Sequence, residues 1–155
     1  MNMLARAAGF QNLQHLRSVN AAERSLQRQT EDQQVDFRSV ERALHQFDNL
    51  GRLRRWPSKR KIQILALWAL WSRLPAGRSL PEPDVNAILL EEHLFDDPAT
   101  LRRMLISLGV LARRSDGTDY RRVEQEPPAD AKALIHALSM RRRQNADMNE
   151  ALADA

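Results

Sequence analysis

The chain contains no cysteine, which excludes a disulfide framework, a zinc–thiolate site and a cysteine nucleophile. Long apolar runs are missing as well. The longest, Ile64 to Trp71, is far shorter than the roughly 20 residues a bilayer-spanning helix needs, and it lies inside the chain rather than behind a charged start. Neither a membrane span nor a secretory signal is indicated, so the expected compartment is the cytoplasm. Of the 4 histidines, only His93 stands among carboxylates (Glu91, Glu92, Asp96 and Asp97). A single His beside helix-end carboxylates is a common structural pattern and falls short of a metal or proton-transfer set. No catalytic residue, metal site or cofactor is expected.

What is present is a chain of 155 residues, 43% hydrophobic and 28% charged, enough for one modest core with appended segments. The net charge of +4 permits attraction to phosphates without demanding it. Its distribution says more. Arg52, Arg54, Arg55, Lys59, Arg60 and Lys61 fall within one stretch free of acidic residues, whereas the end of the chain carries Asp147, Glu150 and Asp154.

Residues 1–38 read as an N-terminal helical segment, from Leu4 to Arg17 with a break at Gly9, followed by a polar linker poor in large apolar groups. Residues 39–124 hold the central domain. Ser39 is placed to cap a helix with Val40, Ala43, Leu44 and Phe47 on one face, ended by Gly51. Ser58 is placed to open a second helix, Lys59 to Leu74, apolar on nearly all sides and so buried by several neighbours, with Trp68 and Trp71 in the core. Arg78 to Leu80 suits a very short strand. A third helix begins at Glu82, tolerates Pro83 in its first turn and ends near His93. Asp97 followed by Pro98 then opens the clearest helix of the chain, with Leu101, Met104, Leu105 and Leu108 inward and Gly109 as its stop. Val110 to Arg114 and Thr118 to Val123 flank Asp116-Gly117, a dipeptide suited to a tight hairpin turn. Residues 125–155 comprise a linker, an amphipathic helix with Ala131, Leu134, Ile135 and Leu138 on one side, Arg141-Arg142-Arg143, and a polar tail. That helix needs a partner surface. The fold class is therefore mainly α with a small β-hairpin: a winged-helix-like core with extra N- and C-terminal helices.

From about Val40 to Arg122 the sequence resembles an uncharacterised bacterial family, domain of unknown function 2087. The resemblance is carried by Trp56-Pro57-Ser58-Lys59-Arg60-Lys61, Asp84 to Leu89, His93, Asp96, Leu101-Arg102-Arg103, and Asp116-Gly117 with Tyr120. Leu4 to Leu16 also looks like the lead-in of some members. The resemblance implies no established activity; some members follow a separate DNA-binding domain of the arsenic-repressor type. Pro81 and Pro83 depart from the Thr- or Glu-rich helix start of the family, and Arg121 stands where an aromatic is frequent.

Two readings follow. In the first, the chain is a DNA-binding or transcription-associated regulator without catalysis. Thr100, Arg102 and Arg103 then face the groove, Arg113, Arg114, Arg121 and Arg122 act from the wing, and Arg55, Lys59, Arg60 and Lys61 contact the backbone. Its partners would be double-stranded DNA and a second copy of the chain held through the terminal helices. In the second, the chain is a protein-interaction or dimerisation module that binds no nucleic acid, and Arg102 and Arg103 are struts to Glu91, Glu92 or Asp96.

Overall fold

The computed structural model describes residues 34–154; the expected N-terminal helices and all but the end of the polar linker lie outside the described residues. Helix α1 spans Phe37–Leu44. Its cap is Asp36 and not the expected Ser39: the Asp36 carboxylate accepts the Ser39 N–H at 3.2 Å and the Ser39 hydroxyl at 2.8 Å. A carboxylate satisfies the first-turn N–H groups better than a hydroxyl that has turned to donate to it. Nor does the helix run to Gly51. Phe47 leaves it to form a bridge with Leu53, and Leu53 also bridges His93, so Leu53 lies fully buried between two neighbours.

Helix α2, Arg60–Trp71, is the central element, with Ile62 and every residue from Leu65 to Trp71 buried. Ser58 does not cap it; Lys59 occupies the cap position without a side-chain hydrogen bond. Trp68 and Trp71 meet edge to face with ring centres 5.2 Å apart, as expected of core aromatics. Strand β1 (Ser79–Pro81) leads directly into α3 (Glu82–Glu91), and α4 (Pro98–Leu108) follows. Asp97 caps α4 as its position predicts, accepting the Thr100 N–H, and Gly109 ends it at φ 85°, a left-handed conformation that glycine takes without steric cost.

Strands β2 (Leu111–Arg113) and β3 (Asp119–Arg122) form the hairpin, and β1 pairs on its other side, giving an antiparallel sheet of order β1-β3-β2. Leu80 and Arg113 both lie opposite Tyr120. The tight turn expected at Asp116-Gly117 is instead a longer loop. Gly117 donates to the Arg114 carbonyl and Arg114 to the Asp119 carbonyl, and of the Asp116-Gly117 pair only Gly117 takes a positive φ. Asp116 is used differently, accepting the Thr118 N–H and hydroxyl to brace the loop.

Helix α5, Ala129–Ala153, packs on α1 and α2. The partner surface it requires is therefore in its own chain, where Ala131, Leu134 and Leu138 are buried. From Val35 onward the described residues form a single unit, mainly α with a small sheet. At the start of α5, Asp130 accepts the Asp36 N–H at 2.7 Å.

Leu138 is 1% exposed and Met148 on the same helix is 65% exposed. Leu138→Ala should cost about 2–5 kcal/mol in urea denaturation, against less than about 0.5 kcal/mol for Met148→Ala. Comparable losses would show that the outer half of α5 is also packed. The Asp36 carboxyl is held well below the usual carboxylate range by the Lys61 ammonium, then by the Ser39 hydroxyl and N–H. A lowered folded-state pKa stabilises above the ordinary value and loses that contribution as pH falls through the folded value. The melting temperature should thus exceed that of Asp36→Asn near neutral pH, with the gap closing only below the usual carboxylate range.

Candidate nucleic-acid interface

The turn between α3 and α4 is fixed by His93, which is 4% exposed. Its Nδ1 meets the Leu89 carbonyl and its Nε2 accepts the Asp97 N–H at 2.8 Å. The proton therefore sits on Nδ1, and both ring nitrogens are spent on backbone partners. Neither is left for a metal or a proton relay. The histidine instead ties the end of α3 to the cap of α4 and sets the angle at which α4 is presented.

On α4, the three groove candidates separate. Arg103 is exposed on the outer face, its Nε donating to the Ala99 carbonyl at 3.3 Å. Thr100 sits half-buried in the first turn, with its N–H committed to Asp97. Arg102 does not share their face. Its side chain, 12% exposed, pairs with Glu82 at 2.6 Å, donates to Asn86, and lies 5.6 Å from the centre of the Tyr120 ring. Glu82 and Asn86 are one turn apart on α3, so a single guanidinium clasps that face. Arg102 is thus a strut, although its partners are not the expected Glu91, Glu92 or Asp96. The position flanks the apolar stripe of α4, and a long side chain there can lie across the helix-helix contact.

The hairpin arginines divide in the same way. Arg122 folds back onto α2: its guanidinium stacks 4.1 Å from the Trp71 ring centre and donates to the Leu74 carbonyl at 3.0 Å, while Glu124 accepts from its other edge. A cation over indole that also satisfies helix-end carbonyls stabilises the docking of the sheet on α2. Trp71 adds a hydrogen bond from Nε1 to the Val123 carbonyl at 3.0 Å. Arg113 lies 5.9 Å from the Tyr120 ring centre on an exposed side chain. Arg114 is 66% exposed and balanced by Asp116 and Asp119 at 3.9 and 3.7 Å. Arg121 is exposed, paired across the sheet with Ser79 and Ala112.

The third group does not join the first two. Arg55, Lys59 and Arg60 are exposed before and at the start of α2, whereas the hairpin docks through Arg122 at the end of α2. A helix of 12 residues is about 18 Å long. Lys61 is occupied, bound to Asp36 at 2.7 Å and facing Asp130 at 4.0 Å. Arg55 donates to the Gln46 side chain at 3.1 Å. With Arg42, Trp56, Lys59 and Ile62 it lines an open groove of about 430 Å³ between α1 and the start of α2; nothing in the local sequence pattern points to this groove.

Sequence reasoning also missed the work of Arg141 and Arg142, which read only as the basic lead into a polar tail. Arg141 Nη1 lies 3.0–3.2 Å from the carbonyl oxygens of Leu44, Phe47 and Asp48. Arg142 reaches the Gly51 carbonyl at 3.3 Å and faces Glu92 at 3.8 Å. A side chain on Gly51 would meet Arg142 Nε at 2.6 Å. Burial, followed by the charge of Arg73, lowers the Arg142 pKa, and Glu92 opposes both.

If Arg102 is a strut and Arg103 is free, Arg102→Ala should lower stability by about 1–3 kcal/mol by leaving Glu82 and Asn86 without their donor, while Arg103→Ala stays within about 0.5 kcal/mol. Thermal or chemical denaturation decides; equal effects would contradict the division.

Residues 52–122 match the family model described as an uncharacterized protein conserved in bacteria (DUF2087). The match begins after α1 and ends with β3, so α1 and α5 are the framework around it. No curated protein and no solved structure matches the chain.

Proposed function

We propose that this bacterial domain binds double-stranded DNA in the manner of a winged helix and acts, in the cytoplasm, as a transcription-associated regulator without catalysis. The observation that carries the reading is the order and bracing of its parts. Two helices joined by a fixed turn, α3 and α4, are followed by the β2–β3 hairpin, with β1 closing the sheet. In such an arrangement the second helix enters the major groove while the hairpin reaches an adjacent backbone.

Within this reading Thr100 and Arg103 face the groove, and Arg113, Arg114 and Arg121 contact phosphates. Arg102 and Arg122 hold the reading helix and the wing in place from within, through Glu82 and Tyr120 in one case and Trp71 in the other. Phosphate contact by the hairpin arginines would supply most of the binding, and with only Thr100 and Arg103 at the groove sequence discrimination is modest.

A second reading, a protein-interaction module, is favoured by Leu90 and Leu94, which are 45% and 48% exposed at the end of α3 and in the turn after it. A partner protein would cover them and a DNA duplex would not.

A labelled random-sequence duplex titrated at low and moderate salt separates the two. Binding should fall steeply with salt, and Arg103→Ala, Arg113→Ala or Arg121→Ala should each weaken it and flatten the salt slope by about one unit. Absence of binding even at low salt would reject the DNA reading in favour of a protein partner.

A further inference from the structure

The groove between α1 and the start of α2 has a chemistry that duplex binding does not use. Its rim carries Arg42, Arg55 and Lys59, and no carboxylate lines it. Neighbouring cations are neutralised: Arg52 holds Asp48 at 2.7 Å and Lys61 holds Asp36 at 2.7 Å. Among the described residues, no acidic side chain pairs with Arg42, Arg55 or Lys59. Arg55 is held in place all the same, by Gln46 at 3.1 Å, so its guanidinium is ordered before any ligand arrives.

The opposite character lies beside these cations. Trp56 packs partly on the core and also borders the groove, and the buried Ile62 gives it an apolar floor. Pro57 holds Trp56 out of α2, and the Pro57 carbonyl is pinned by the Gln63 side chain at 2.8 Å. The indole is thereby positioned by backbone constraint. A cavity of about 430 Å³ falls within the roughly 300–1,000 Å³ of small-molecule sites.

We infer that this groove binds a nucleoside phosphate, the base against Trp56 and the phosphates on Arg42, Arg55 and Lys59. An inorganic anion would use the cations and leave the indole idle; a neutral aromatic would do the reverse. A planar ring joined to a phosphate chain uses both, through base–indole stacking and guanidinium–phosphate hydrogen bonds. Because α2 separates the groove from the docked hairpin, such a ligand would act as an effector and would not compete for the wing.

The test uses the full chain titrated with ATP, GTP and inorganic tripolyphosphate, followed by calorimetry and tryptophan fluorescence. The nucleotides should bind and quench emission, with tripolyphosphate at least about tenfold weaker, and Trp56→Leu should weaken the nucleotides about tenfold. Arg55→Gln with Lys59→Gln, both exposed and outside the core, should abolish binding with an unchanged melting curve, which covers the case in which Trp56→Leu folds poorly. Arg103→Ala should bind nucleotide normally, so failure of the DNA reading and failure of this one are read separately. Tripolyphosphate binding as tightly as ATP, or no binding by either nucleotide, would overturn the assignment.

Discussion

The molecule depends on how the segment between α1 and α2 satisfies its backbone. Residues 45–59 are largely irregular and packed against helices, where unpaired carbonyls would be costly. Arg141 supplies the main solution: one guanidinium nitrogen meets three carbonyls at the end of α1 and just beyond it. Arg142, one residue on, reaches Gly51 and the buried Glu92, and Glu92 also accepts from Arg73 at 3.0 Å. The ends of α1, α2 and α3 thus converge on one face of α5. Three of the charges in this cluster are two arginines and one carboxylate in partial burial, an arrangement that fixes geometry more than it adds stability.

That convergence also determines how the α3–α4 unit is held. Leu53 donates to the Glu92 carbonyl at 2.8 Å and accepts from Leu94 at 2.9 Å, so the strand-like residue between α1 and α2 forms a backbone extension of the α3–α4 turn. His93, bracketed by those bonds, then seats Asp97 at the head of α4. From the far side, Arg102 and Arg122 secure α4 and the sheet through Tyr120 and Trp71. The outer face of α4 is free because its rigidity is supplied from behind. Preorganisation of this kind lowers the ordering cost of binding without adding a contact.

Local signals predicted much of this. The Asp97-Pro98 start, the Gly109 stop and the inward stripe through Leu101 and Leu105 were legible because each depends on neighbours within one or two turns. Helix α2 was legible from its apolar residues on all faces. The start of α1 differs because Asp36 and Ser39 are both competent caps, and the Ser39 hydroxyl together with Lys61, 25 residues away, favours the carboxylate. Its end was misjudged because Phe47 keeps helical spacing while a bridge to Leu53 removes it from the helix; tertiary pairing overrode periodicity. The arginines were hardest. Arg102 and Arg103 are adjacent and chemically identical, and the distinction between strut and free cation comes from Glu82, Asn86 and Tyr120, none of which is near in sequence. Arg141 finds its carbonyls more than 90 residues back.

Positive charge is consequently a poor guide to function in this chain until its partners are known. The basic run from Arg52 to Lys61 looked like one feature, yet Arg52 closes a loop with Asp48, Lys61 latches α1 and α5 through Asp36 and Asp130, and Arg55 and Lys59 remain for a ligand. The hairpin arginines divide likewise into Arg122, held under the sheet by Trp71, and the exposed Arg113 and Arg121, the first beside the Tyr120 ring and the second on the opposite face of the sheet. Cations neutralised at short distance contribute little field beyond the Debye length, whereas unpaired ones act on whatever approaches. Among the described residues, unpaired cations therefore gather near opposite ends of α2, one group backed by the core residue Trp71 and the other by the partly buried Trp56. Trp71 serves the hairpin by fixing Arg122 from beneath, whereas Trp56 borders its groove with a face to offer.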